Sequence, residues 1–116
     1  VDDAGRIIRK FEFTDYDPQR CLADFYLMGG ARMWRRTIHD RAGYMSDEYP
    51  QAHDYDLILR FAIAGGRFVH VPEVLYSYRW HGPRRKDGQH SSNRERAGIE
   101  QSKAIAKRAR EWLASL

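Results

Sequence analysis

The sequence predicts an α/β chain, with a short mixed sheet flanked by helices and a long C-terminal helix. Three observations carry that expectation. Leu57, Ile58, Phe61 and Ala62 recur at three- and four-residue spacing inside 54–64, the period of a helix with one buried face. Two runs rich in β-branched and aromatic residues follow, Phe68 to Val71 and Val74 to Trp80, parted by Pro72-Glu73. From about Asn93, Ile99, Ile105, Ala106, Ala109, Trp112 and Leu113 form the apolar stripe of a final helix. Strands alternating with helices define the α/β or α+β class.

The remaining elements are read in chain order. Asp2-Asp3-Ala4-Gly5 is a turn leading into a short extended piece at Ile7-Ile8. Asp17 is suited to cap a helix whose first residue is Pro18, where the missing N–H goes unused. That helix is expected to run through Leu22 and Phe25 to Leu27 and to stop at Gly29-Gly30. Ala31 to Arg35 alternates like a strand. Thr37 is read as the cap of a second short helix that Gly43 ends, and Gly65-Gly66 as the end of the 54–64 helix. A polar loop with three basic residues spans 82–93, and the terminal helix occupies 93–115. So few short strands do not make a self-sufficient sheet. The whole of 1–116 is therefore expected to be the C-terminal part of one larger domain. A first residue that is not Met, set in a turn with no strand before it, points the same way.

Composition narrows the classes. At 116 residues, 42% hydrophobic and 13% aromatic, the chain suits one folded domain rather than a disordered segment. The net charge of +4 and pI of about 9.4 fit a phosphate-bearing partner. The basic residues are dispersed, with clusters at Arg35-Arg36, Arg84-Arg85-Lys86 and Lys107-Arg108 and no nucleic-acid motif, so no nucleic-acid partner is expected. The single Cys21 rules out an intrachain disulfide and a cysteine zinc site. No apolar run reaches the roughly 20 residues of a membrane span. A reducing, cytoplasmic setting is expected, with membrane association left open for the parent protein.

Several residues could carry chemistry. Asp54, in the first turn of its helix, reads either as a cap favoured by the helix dipole or as a general base at the edge of a cleft. Asp56, two residues on, points elsewhere, so the two are not a paired-carboxylate site. The histidines (39, 53, 70, 81 and 90) show no helical metal-site pairing. His70 reads as a strand residue. His81 ends a strand, where α/β sheets border ligand crevices. Arg79, Trp80 and His81 lead into Arg84, Arg85 and Lys86, either a solvated charge run or a cationic loop able to close over a diphosphate.

In order and spacing, "YDPQRCLADFYLMGGARMWRRTIHDRAGYMSDEYPQAHDYDLILRFAIAGGRFVHVPEVLYSYRWHG" resembles the C-terminal, acceptor-side half of a glycosyltransferase family 2 domain, a nucleotide-diphospho-sugar transferase of the GT-A fold. The resemblance implies roles residue by residue. In the family an "ED" pair opens the helix, and its Asp deprotonates the acceptor hydroxyl in inverting transfer. "HDYD" falls there, so Asp54 is implied as the catalytic base, with His53 in place of the Glu. Met33, Trp34, His53 and Trp80 are implied at the acceptor side, and His81 at a divalent metal, Mg or Mn, in the intact parent. Arg79, Arg84 and Arg85 are expected at the diphosphate from the cationic run itself, since the resemblance does not extend in detail beyond about Gly82. Arg79-Trp80 is similar to part of the processive "QxxRW" motif, but Tyr76 stands where Gln belongs, so processivity does not carry over. The family's donor half bears a "DxD" metal motif, and neither Asp15-Tyr16-Asp17 nor Asp54-Tyr55-Asp56 is placed to be it. The expected partners are a nucleotide-sugar donor and a carbohydrate or lipid-linked acceptor, both through the parent, and a homodimer if the open sheet edge is covered by a second copy. The alternative is a non-catalytic interaction module that keeps the fold.

Overall fold

The computed structural model describes residues 1–23, 31–80 and 92–116, with side chains from 96 onward in the last segment. Its first helix, α1 (Pro18–Ala23), starts as the sequence dictates. Asp17 Oδ1 accepts the backbone N–H of Gln19 at 2.9 Å and of Arg20 at 3.2 Å, and Pro18 has no N–H to satisfy. The predicted continuation to Leu27 and the glycine stop at 29–30 lie outside the described residues. The turn at the N-terminus also forms. Asp2 Oδ1 accepts the N–H groups of Ala4 and Arg6, and Gly5 takes the positive φ of 80° that closes it.

A single 3-10 turn (Arg36–Ile38) leads directly into α2 (His39–Ala42). Thr37 lies inside that turn and caps nothing. The chain enters through extended Arg35, with no side-chain cap. Gly43 ends α2 as expected, at φ 74° and ψ −169°, a region that only glycine occupies without strain.

The central helix, α3 (His53–Ile63), buries Tyr55, Leu57, Ile58, Leu59 and Phe61. These positions wrap well beyond one face because α1, α2 and α4 all pack on it. Its C-terminus is a Schellman motif. The N–H of Gly66 donates to Phe61 O at 2.8 Å and that of Gly65 to Ala62 O at 3.0 Å, with Gly65 at φ 82°. Its N-terminus is capped from a distance. Gln101 of α4 (Ser92–Ala114) offers Oε1 to the N–H groups of Gln51 and Ala52, at 2.9 and 3.2 Å. This supplies one of the partners that the first helical turn cannot find within itself.

Helix α4 adds Ile105, Ala106 and Ala109 to the core, joined by Cys21 from α1 and Ile38 from the 3-10 turn. Polar bolts cross the same interface. The Tyr55 hydroxyl, on a fully buried residue, donates to Cys21 O at 2.6 Å, and Arg110 Nη1 donates to Leu22 O at 2.6 Å. Arg60 is the corresponding bolt on the other side of α3. Its Nη1 donates to Ala42 O at 2.6 Å, its Nη2 to Tyr44 O at 2.7 Å, and its Nε to Asp56 at 2.9 Å.

The expected α/β class, with a partial GT-A sheet, is overturned. Among the described residues there is no β-strand and no sheet, and the regular structure is helical throughout. Residues 7–8, 31–35, 68–71 and 74–80 do not pair into ladders. Val69, Val71, Val74, Leu75 and Tyr76 stay exposed. High β-propensity describes a side chain that fits a pleated, half-buried surface, and it forms a strand only when a neighbouring strand supplies backbone partners. One isolated rung does form: Val1 N–H donates to Tyr78 O and Trp80 N–H to Val1 O, each at 2.7 Å, the pattern of a parallel pair. The 67–71 segment is held by side chains instead, with Phe68 stacked on Tyr16 at 4.3 Å and His70 Nδ1 3.1 Å from Asp15. Pro72 sits in a tight turn closed by Glu73 N–H to Val71 O. Among the described residues no helix is long and apolar enough to cross a membrane.

Two stability predictions follow from these contacts. A Cβ on residue 43 would stand 3.3 Å from Arg60 Nη1 and force a glycine-only backbone conformation on alanine. Gly43→Ala is therefore expected to cost about 1–3 kcal/mol in denaturant unfolding. Burial pushes the Cys21 thiol from 9.0 up to about 11. Because the folded value lies above the unfolded one, the contribution is complete below pH 9.0 and is lost as pH rises toward about 11. Wild type should lose stability across that window relative to Cys21→Ala, and equal pH dependence of the two midpoints would refute this.

Candidate functional site

The N-terminal end of α3 and the segment before the 3-10 turn enclose a cleft of about 260 Å³, lined by Arg32, Trp34, Met45, His53, Asp54, Leu57 and Ile58. It has a polar wall and a larger apolar part. His53 and Asp54 occupy the first turn of α3, with Leu57 and Ile58 one turn further on. The helical repeat that buries the core therefore also sets the polar and apolar parts of the cleft side by side.

Both oxygens of Asp54 are engaged. Oδ1 accepts the backbone N–H of Tyr55 at 2.9 Å, a local cap of the α3 first turn, and Oδ2 receives Arg32 Nη2 at 3.2 Å. The two side chains are partly exposed to a similar degree, which makes the pair accessible to a ligand. Ala52 rather than Asp54 is the N-cap residue. Asp54 thus serves the helix end without being its cap residue, and faces the cleft at the same time. Asp56 points the other way, to Arg60, and shares nothing with Asp54. His53 Nδ1 lies 3.2 Å from Pro50 O, so this nitrogen carries the proton.

Trp34 forms one wall. Its indole N–H donates to His39 Nε2 at 2.9 Å, and its ring meets Phe61 edge-on at 5.3 Å. The indole is thereby fixed on two sides while 40% of the residue stays exposed. An aromatic face held in this way suits stacking against a partly apolar ligand.

The other expected site residues are not brought to this cleft. Met33 is 97% exposed and is not part of the lining. Arg79 and Trp80 lie on the 74–80 segment, which forms no ladder, also outside the lining. His81, Arg84 and Arg85 lie outside the described residues. The described residues hold no cluster of three or more His, Cys, Asp or Glu side chains that could grip a metal ion, and the charged side chain bonded to Asp54 is a cation. This donor set does not fit a divalent metal, and no step is derived through one. Arg32 was missed by sequence reading: it stands 22 residues from Asp54, and no local spacing links them.

No family model matches the chain, and no curated protein and no solved structure shows significant similarity to it.

The two arginine–aspartate pairs of α3 should behave differently on substitution. The Arg32–Asp54 pair is 29% exposed on both sides, whereas Arg60 pairs with the less exposed Asp56 and satisfies two backbone carbonyls as well. In chemical denaturation, Arg32→Gln should stay within about 1 kcal/mol of wild type. Arg60→Gln should cost at least about 2 kcal/mol. Equal losses would mean that Arg32 is scaffold rather than site.

Proposed function

We propose that this chain supplies the acceptor-side, catalytic-base part of an inverting glycosyltransferase, acting on a carbohydrate or lipid-linked hydroxyl, with the nucleotide-sugar donor held by a separate part of the parent protein. One observation carries the reading: Asp54, His53 and Trp34, which the family resemblance implies for the acceptor side, line one cleft. The proposal draws on that convergence and on the order of motifs in the sequence. It does not depend on a sheet.

In this mechanism the acceptor sugar lies against the Trp34 ring, with its hydroxyl toward Asp54 Oδ2. Arg32 swings from the carboxylate as the hydroxyl takes its place. Asp54 accepts the proton while the oxygen attacks the anomeric carbon, and the bond to the nucleoside diphosphate breaks with its electron pair leaving on the phosphate oxygen. The Tyr55 N–H keeps hold of Oδ1 and so keeps the base oriented. Arg79, with Arg84 and Arg85, is assigned to the departing diphosphate on the cationic sequence run alone.

The second reading, an interaction module, is favoured by the Arg32 pairing, since the guanidinium occupies the oxygen that an acceptor hydroxyl would have to reach. Asp54→Asn separates the two. Its amide oxygen can still accept the Tyr55 N–H, so the helix end survives while the base is lost. In the full-length parent, transfer should fall by about 10²-fold or more with donor binding retained. Unchanged turnover would return Asp54 to a purely structural role and favour the module.

A further inference from the structure

We propose that His39 is a positioning residue that sets the Trp34 wall of the cleft, and that it does so only as a neutral imidazole, so that acid loosens the wall. Both of its ring nitrogens are committed. Nδ1 lies 2.7 Å from Gly43 O, an oxygen that can only accept, so Nδ1 carries the proton. Nε2 lies 2.9 Å from Trp34 Nε1, a nitrogen that can only donate, so Nε2 offers its lone pair. One tautomer satisfies both, and the imidazolium satisfies only the first, because it would turn an N–H toward the indole N–H. Two rings hold the imidazole in place: it is stacked on Tyr44 at 4.4 Å and 5° and meets Phe61 edge-on at 5.4 Å. The movable partner is therefore Trp34, and Trp34 lines the cleft while His39 does not.

The charged and titratable groups on the elements that meet at the ring are few. Arg35 and Arg36 precede it in the chain, and Asp40 and Arg41 share α2. Helix α3 brings Arg60 and Asp56, and the loop after α2 brings Tyr44. Arg60 and Asp56 are bonded to each other, and Arg60 holds the carbonyls on either side of Gly43. The acceptor for His39 Nδ1–H is thus fixed independently of the indole.

The test reads the indole itself, so it is separate from sugar transfer, and failure of the Asp54 experiment leaves it unaffected. The Trp34 indole N–H resonance, identified by its loss in Trp34→Phe, is followed against pH together with the His39 ring carbons. The two should move with one midpoint, and exchange of the indole proton with water should become about tenfold faster in the acid form. His39→Gln, whose amide can accept from the indole and donate to Gly43 O, should remove the pH step. His39→Phe should exchange fast at all pH. An indole signal that stays still while the His39 ring titrates would overturn the proposal, as would an equal step in His39→Gln. Should the variants not fold, agreement or divergence of the two wild-type midpoints decides.

Discussion

Everything described here leans on the burial of α3. Five of its eleven residues are buried, from Tyr55 to Phe61, and α1, α2 and α4 each cover part of it. At about 1.5–3 kcal/mol for each fully buried large side chain, Leu57, Ile58, Leu59 and Phe61 form the main hydrophobic term of the molecule. A helix enclosed on so many sides leaves few positions for polar residues, and those few connect to something. Tyr55 reaches the end of α1, Arg60 reaches the end of α2, and the N-terminal N–H groups are met by Gln101 of α4. Each neighbouring helix is bolted to α3 by a polar contact as well as by packing. The termination by Gly65-Gly66 then turns the chain away at a defined point.

The cleft is a consequence of this arrangement. Its floor is the first two turns of α3, and its walls are chain segments that reach α3 from either side. Asp54 is caught between two demands. Its Oδ1 helps to satisfy the helix end, and its Oδ2 sits on Arg32. A carboxylate anchored by one oxygen is well oriented for chemistry at the other, provided that the arginine can be displaced. Trp34 is constrained in a similar way, with its N–H spent on His39 and its edge on Phe61, which leaves a face to the cleft. The aromatic cluster of Trp34, His39, Tyr44 and Phe61 therefore links the site to the core through Phe61, a residue of both.

Three residues of the cleft lining were singled out in the sequence: Asp54 as a first-turn acid of the best amphipathic helix, and His53 and Trp34 through the family resemblance. Arg32 was not legible as a member of the site, because its partner is reached through space, 22 positions on, and the local bond from Trp34 to His39, five residues on, follows no helical or strand period. Met33, next to Trp34, looked equivalent in the sequence and is fully outside. Neighbouring residues in an irregular segment need not share a direction, and no periodicity tells them apart.

The sequence by itself determined the local structure that depends on neighbours in the chain. The cap at Asp17-Pro18, the span of α3, the glycine stops at 43 and 65–66 and the long final helix all follow from interactions within a few residues. The tertiary structure decided what needed distant partners. It left the β-prone runs near 68–71 and 74–80 without a ladder, since propensity cannot supply a second strand. It also chose Arg32 as the companion of Asp54, since a hydrogen bond between residues 22 positions apart exists only once the chain has packed.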